Sequence, residues 1–208
     1  MRARRWCLSV LILASLACGQ DDYGERVPPG QRVLEDEFPV FSFRGNRYLT
    51  TDEWELQIWG AVERDTTLGW EEFGLLPCTT RVEDFHCVTG WSRLGDSWTG
   101  VEGSVLMELA RPESTAVSVM VHCADGYTTN VLLEDFLTPG VMLVTELNGR
   151  PLAAEHGYPV RLIVPHLYAW KAAKWVTGLE LRESDDPGYW ESHGYHIRGD
   201  PWREQRYQ

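Results

Sequence analysis

Residues 54–59, Trp54-Glu55-Leu56-Gln57-Ile58-Trp59, alternate apolar and polar as far as Ile58, and no other stretch constrains the fold as much. Successive side chains of a strand point to opposite faces, so this run buries one face and leaves the other wet. Residues 116–122 repeat the pattern, and 141–147, 160–164 and 174–181 read as further strands. Helical candidates are shorter: 69–75, 101–110 and 132–137. Arg111-Pro112 ends the second of them, since proline cannot continue a helix. The helices fall between strands without a strand–helix–strand rhythm. The expectation is an α+β domain of mixed sheets with short helices, not a doubly wound parallel sheet. No phosphate-loop or dinucleotide-binding glycine spacing occurs, and no Gly-x-Ser-x-Gly elbow.

The start of the chain stands apart. Arg2, Arg4 and Arg5 precede an apolar run over 8–17 that ends in small residues. This is the layout of a secretory signal peptide over 1–17, too short to span a bilayer as a permanent helix. Leu16-Ala17-Cys18 resembles a bacterial lipoprotein processing site, which implies a lipid anchor at Cys18 and a location in the periplasm or at the cell surface. Residues 18–37 are polar, with Pro28-Pro29-Gly30 at their centre, and read as an exposed tether. Residues 38–208 contain no repeat or linker and form one domain.

Removing residues 1–17 takes three arginines from the 19 basic residues and none from the 31 acidic ones, leaving a net charge of −15. Such a chain does not bind nucleic acid, which needs clustered Lys and Arg. Three cysteines remain beyond Cys18: Cys78, Cys87 and Cys123. Cys78 and Cys123 could pair in an oxidising compartment, which would leave Cys87 over. The 10 tryptophans point to a large core or an aromatic-walled pocket.

His86-Cys87 and His122-Cys123 form two matching pairs. As zinc ligands they are poorly spaced, because neighbours on a strand face opposite ways and structural zinc sites space their ligands by about two to four residues. A cysteine nucleophile with His86, His122, His156 or His166 as its base has no local sequence support.

Four motifs in order carry a family resemblance. Phe85-His86-Cys87-Val88-Thr89-Gly90-Trp91-Ser92 resembles the molybdenum-cysteine segment of the sulfite oxidase family. Gly149-Arg150-Pro151-Leu152 with His156-Gly157-Tyr158-Pro159-Val160-Arg161 is similar to its pterin-binding segment. Trp170-Lys171-Ala172-Ala173-Lys174-Trp175 and the tail from Gly188-Tyr189-Trp190 to Tyr195-His196 continue the likeness. The resemblance spans nearly all of 38–208 and implies the sulfite-oxidase-type molybdopterin-binding domain.

The resemblance implies molybdenum held by one pyranopterin dithiolene and the Cys87 thiolate, a soft ligand suited to a thiophilic metal. The activity implied is oxygen-atom transfer on a small sulfite- or sulfoxide-like substrate. Arg161 offers a bidentate fork to the cofactor phosphate, and Lys174 a point charge beside the amides of Ala172 and Ala173. His156 and Asp125 are implied pterin contacts, with a core histidine and a turn former as the plainer roles. Ser42 occupies the place of the first pterin loop, and Tyr195 that of an active-site tyrosine. The family's substrate arginines have no secure match; Arg93, His193 and Arg198 are the nearest basic candidates. The chain shows no haem-binding module and no immunoglobulin-like dimerisation domain. The expectation is therefore a monomer served by an external cytochrome or membrane haem protein. The alternative is a non-catalytic, surface-tethered binding lipoprotein that keeps the fold.

Overall fold

The computed structural model describes residues 23–47 and 49–208. In chain order the first strands are β1 (Arg32–Val33), β2 (Glu55–Gly60), β3 (Thr66–Gly69), β4 (Thr79–Cys87), β5 (Trp91–Glu102) and β6 (Ser118–Cys123). They are followed by β7 (Thr128–Leu132), β8 (Met142–Leu147), β9 (Arg150–Pro151), β10 (Arg161–Ile163) and β11 (Val176–Arg182). Helices α1 (Trp70–Gly74), α2 (Gly103–Ala110), α3 (Leu133–Phe136) and α4 (Tyr189–Ser192) are short. The architecture is α+β, as the alternation implied.

One sheet has the order β3-β2-β11-β6-β7, with β2 and β11 parallel and the rest antiparallel. Its strands bury Leu56, Ile58, Val119, Val121 and Leu179 in the main core, where Trp54 is also enclosed and donates its indole N–H to Val176 O at 2.8 Å. Burying a side chain of that size contributes roughly 1.5–3 kcal/mol, provided the N–H finds such a partner. The second sheet has the path β1-β5-β8-β10, with β4 on β5 and β9 on β8. It encloses a smaller core of Phe85, Cys87, Trp91, Trp98 and Met142. The functional residues fall where the two cores meet.

Local chemistry accounts for the helix ends. Glu72 reaches back to accept the Gly69 N–H at 2.8 Å at the start of α1. Helix α2 stops at Arg111, whose backbone turns left-handed (φ 55°) immediately before Pro112. Strand β5 runs on to Glu102, so α2 begins two residues later than the 101–110 expectation.

The tether reading is corrected for its described part. Arg26 grips Asp84 at 2.6 Å, Arg32 and Val33 pair in parallel with Trp91 and Ser92, and Leu34 N–H reaches Ser92 O at 2.8 Å. Polar side chains and backbone fasten this segment to the body, and Leu34 packs against the smaller core. Residues 1–17 and Cys18 lie outside the described residues. Cys78 (exposed) and Cys123 (buried) are both free thiols.

Gly100 sits at a register shift between β5 and β8, where a Cβ would lie 2.2 Å from Leu143 O. Gly100→Ala is expected to destabilise the fold by about 1–3 kcal/mol through overpacking, read as a lowered urea midpoint with an unchanged slope.

Candidate active site

Cys87 is the last residue of β4 and borders a cavity of about 250 Å³. The chain turns at once: Gly90 N–H closes on Cys87 O at 3.0 Å, and Gly90 has φ +89°, a conformation that favours glycine. Thr89 Oγ1 lies 3.2 Å from Cys87 Sγ. Burial pushes the Cys87 thiol up, while Thr89 and the nearby Arg206 oppose that shift. The free thiol is therefore protonated at neutral pH. Only a bound electrophile would make it a thiolate, which is how a metal ligand behaves.

Arg161 opens β10 and is 3% exposed. Its guanidinium is boxed by the rings of Phe85, Trp98 and Phe38, at 5.2, 5.7 and 5.8 Å from their centroids. Two of its nitrogens donate to His156 O at 3.1 Å and Ala172 O at 3.0 Å, whereas Nε is buried without a partner. Burial lowers its pKa to about 10. Lys174 donates to Glu155 O at 2.7 Å and is pushed down to about 8, first by burial and then by Arg161.

Among the described residues no carboxylate lies within ion-pair distance of either cation. Arg93, Arg198 and Lys171, by contrast, hold Asp96, Asp135 and Glu191 at 2.7, 2.8 and 2.6 Å. A buried charge without a counter-ion costs several kcal/mol. In a chain of net charge −12, two adjacent cations with no carboxylate at ion-pair distance would suit an anion. A terminal phosphate meets that need, and the orphaned Arg161 Nε–H provides a donor for it. The residues present thus suit a phosphate-bearing pterin on one wall and a metal at Cys87 on another.

All nine residues singled out from the sequence border this one cavity: Ser42, Cys87, Asp125, His156, Arg161, Ala172, Ala173, Lys174 and Tyr195. Their local states differ. His156 stacks on Phe38 with centroids 4.5 Å apart, and burial followed by Arg161 lowers its pKa, so the ring is neutral at pH 7. Asp125 accepts the Tyr127 N–H at 3.0 Å, which makes it a turn former as well as a wall residue. Ser42 is on the exposed rim. Tyr195 meets Trp170 and Trp190 at 5.1 Å each, and burial raises its pKa.

Two expectations need correction. The N–H groups of Ala172 and Ala173 donate to Ala169 O and Lys171 O, so they serve their own turn, not a ligand. Arg93, His193 and Arg198 do not border the cavity; Arg93 and Arg198 are held by Asp96 and Asp135, and His193 by the Tyr189 carbonyl. Sequence reading missed Phe38, Trp91, Thr89 and Trp190 as cavity walls. Thr89, Trp91 and Trp190 stand within the family-like motifs without having been assigned a role, and Phe38 had no signal beyond the abundance of aromatics.

Comparison with solved structures and sequence relatives gives the fold and the family. The sulfane dehydrogenase SoxCD from Paracoccus pantotrophus superposes with a TM-score of 0.62 at 24% identity, over 67% of this chain and 41% of that one, and shows the fold. The model of the oxidoreductase molybdopterin-binding domain matches residues 44–190. The oxidoreductase YuiH of Bacillus subtilis (strain 168) is 42% identical over 90% of this chain and 95% of its own length. The protein-methionine-sulfoxide reductase catalytic subunit MsrP of Campylobacter jejuni is 27% identical over 70% of this chain and 54% of its own. The chain therefore belongs to the molybdopterin-binding oxidoreductases of the sulfite oxidase type, and its cofactor is Mo-molybdopterin.

The depressed Lys174 yields a pH test on protein made without cofactor. The unfolded chain keeps the ordinary lysine value of 10.5 while the folded group titrates near 8, so the unfolded state holds more protons between these pH values. The stability attributable to Lys174 therefore rises with pH across that window. The stability of wild type relative to Lys174→Met is expected to increase from pH 7 to 10, measured by paired urea titrations.

Proposed function

We propose that this oxidoreductase reduces a small neutral sulfoxide, with molybdenum held by the Cys87 thiolate. The net reaction converts a sulfoxide, two electrons and two protons into a sulfide and water. The observation that carries the substrate class is where the cations sit. Both cavity-lining cations, Arg161 and Lys174, lie together in the anion site reserved here for the cofactor phosphate. The other basic candidates point elsewhere, and Thr89, Trp91, Trp190 and Tyr195 surround the rest of the cavity. A sulfite dianion would find no cation of its own in that wall, whereas a neutral sulfoxide suits aromatic and hydroxyl surfaces. The name of the Campylobacter relative supports the same direction.

In this reading Arg161 and Lys174 hold the phosphate, His156 and Asp125 contact the pterin, and Ser42 closes the rim. Ala172 and Ala173 contribute small side chains that leave room for the ligand. The bound cofactor supplies the two-electron, oxygen-accepting chemistry. Tyr195 holds a proton at its phenolic oxygen, in Coulombic reach of Cys87, as a donor toward the transferred oxygen. The aromatic walls exclude water.

Electrons come from a separate cytochrome or membrane haem protein, consistent with a relative that is itself named a catalytic subunit. The same reading includes export with an anchor at Cys18, supported by the basic and apolar residues that open the sequence. No helix among the described residues is long and apolar enough to cross a membrane.

Protein matured in a molybdenum-sufficient host is expected to carry about one metal per chain. It should reduce a dialkyl sulfoxide with a reduced viologen dye at least ~100-fold faster than it oxidises sulfite. Cys87→Ala should lose both the visible spectrum and this activity by at least ~100-fold, as losing a metal ligand demands. A variant retaining both would overturn the ligand assignment, and preferential sulfite oxidation would overturn the substrate.

A further inference from the structure

The C-terminal segment returns across the site. Tyr195 and Tyr207 form an antiparallel bridge, and His196 N–H donates to Arg206 O at 3.2 Å, so the segment that supplies Tyr195 also supplies Arg206. The Arg206 side chain reaches the turn after β4 and donates to Val88 O at 2.7 Å, the carbonyl directly after Cys87. Its guanidinium lies over the Tyr168 ring at 5.6 Å, and a Cβ on Gly30 would stand 3.4 Å from Nη2. Gln31 holds the same turn from the other terminus, donating to Cys87 O at 3.0 Å.

The charge of Arg206 is barely compensated. Among the described residues its one carboxylate within ion-pair distance, Glu204, is 4.0 Å away and more than half exposed, whereas Arg26, Arg93 and Arg198 hold carboxylates at 2.6–2.8 Å. A carbonyl alone would accept any donor. A three-quarters-buried guanidinium with a weak counter-ion does more, since it fixes a positive charge on the turn that carries Cys87, bonded to the carbonyl of the very next residue. A positive charge near an anionic metal ligand favours the state with more electrons, as outer groups around metal sites commonly do.

We infer that Arg206 is a positioning residue of the metal site: it clamps the Cys87 turn through Val88 O and holds a fixed positive charge that raises the reduction potential of the metal. The inference rests on the reading of Cys87 as the molybdenum ligand.

The holoenzyme and its R206Q, R206K and E204Q variants test it. Each is measured for molybdenum content and for the midpoint potential of the metal, followed by its paramagnetic signal at low ionic strength, where the Coulomb interaction is least screened. R206Q should shift to lower potential at unchanged metal content, R206K should stay at the wild-type value, and E204Q should move upward. A fully metallated R206Q at the wild-type potential overturns the inference, as does an R206K that shifts as far as R206Q. Should R206Q take up no metal, E204Q decides alone, because the absence of an upward shift overturns the inference. Failure of the Cys87 reading is distinguishable: Cys87→Ala would then keep metal and signal whatever the Arg206 variants do.

Discussion

The Arg161 guanidinium, buried without a carboxylate, is the constraint on which the site is organised. Water cannot solvate it, and aromatic faces stabilise a cation only partly, by roughly 0.5–2 kcal/mol each. The protein brings Phe85 and Trp98 from one sheet and Phe38 from the segment before β2 to box it, then adds two carbonyls. It next places Lys174 nearby, which worsens the repulsion. Without an anion this arrangement is costly. A phosphate seated against both cations would supply the missing counter-charge, and cofactor binding would then be coupled to folded-state stability.

Cys87 follows the same logic at the other wall. A buried thiol with a raised pKa is inert by itself, and becomes a thiolate only against a metal. Thr89, Gln31 and Arg206 secure the turn that carries it from the side chain, the N-terminal segment and the C-terminal tail. The site thus depends on both ends of the described chain, although its central residues come from the middle.

The five strands and three helices read from periodicity all exist within a few residues of their expected bounds. β4 and β5, which carry Cys87 and the arginine box, were not seen that way. The β4–β5 pairing slips between Glu83 and Phe85, β5 slips against β8 between Thr99 and Gly100, and each bulge breaks the period of two on which alternation depends. Gly95 and Gly100 further dilute the strand signal. The site residues were legible through motif resemblance, because thiolate, guanidinium and ammonium groups are chemically distinctive. The Arg206–Val88 contact was not, since a side chain reaching a carbonyl 118 positions away leaves no local pattern.

The most direct test of this account is the pterin and molybdenum content of purified wild type beside Arg161→Met. Pterin is read by fluorescence after denaturation, and metal by elemental analysis. The account expects about one pterin and one molybdenum per wild-type chain, and at least a ~10-fold loss of both in the variant, as removal of a buried, charge-assisted donor to the phosphate implies. A variant that retains the full complement of pterin would contradict it, because Arg161 would then be a buried cation with no anion to hold.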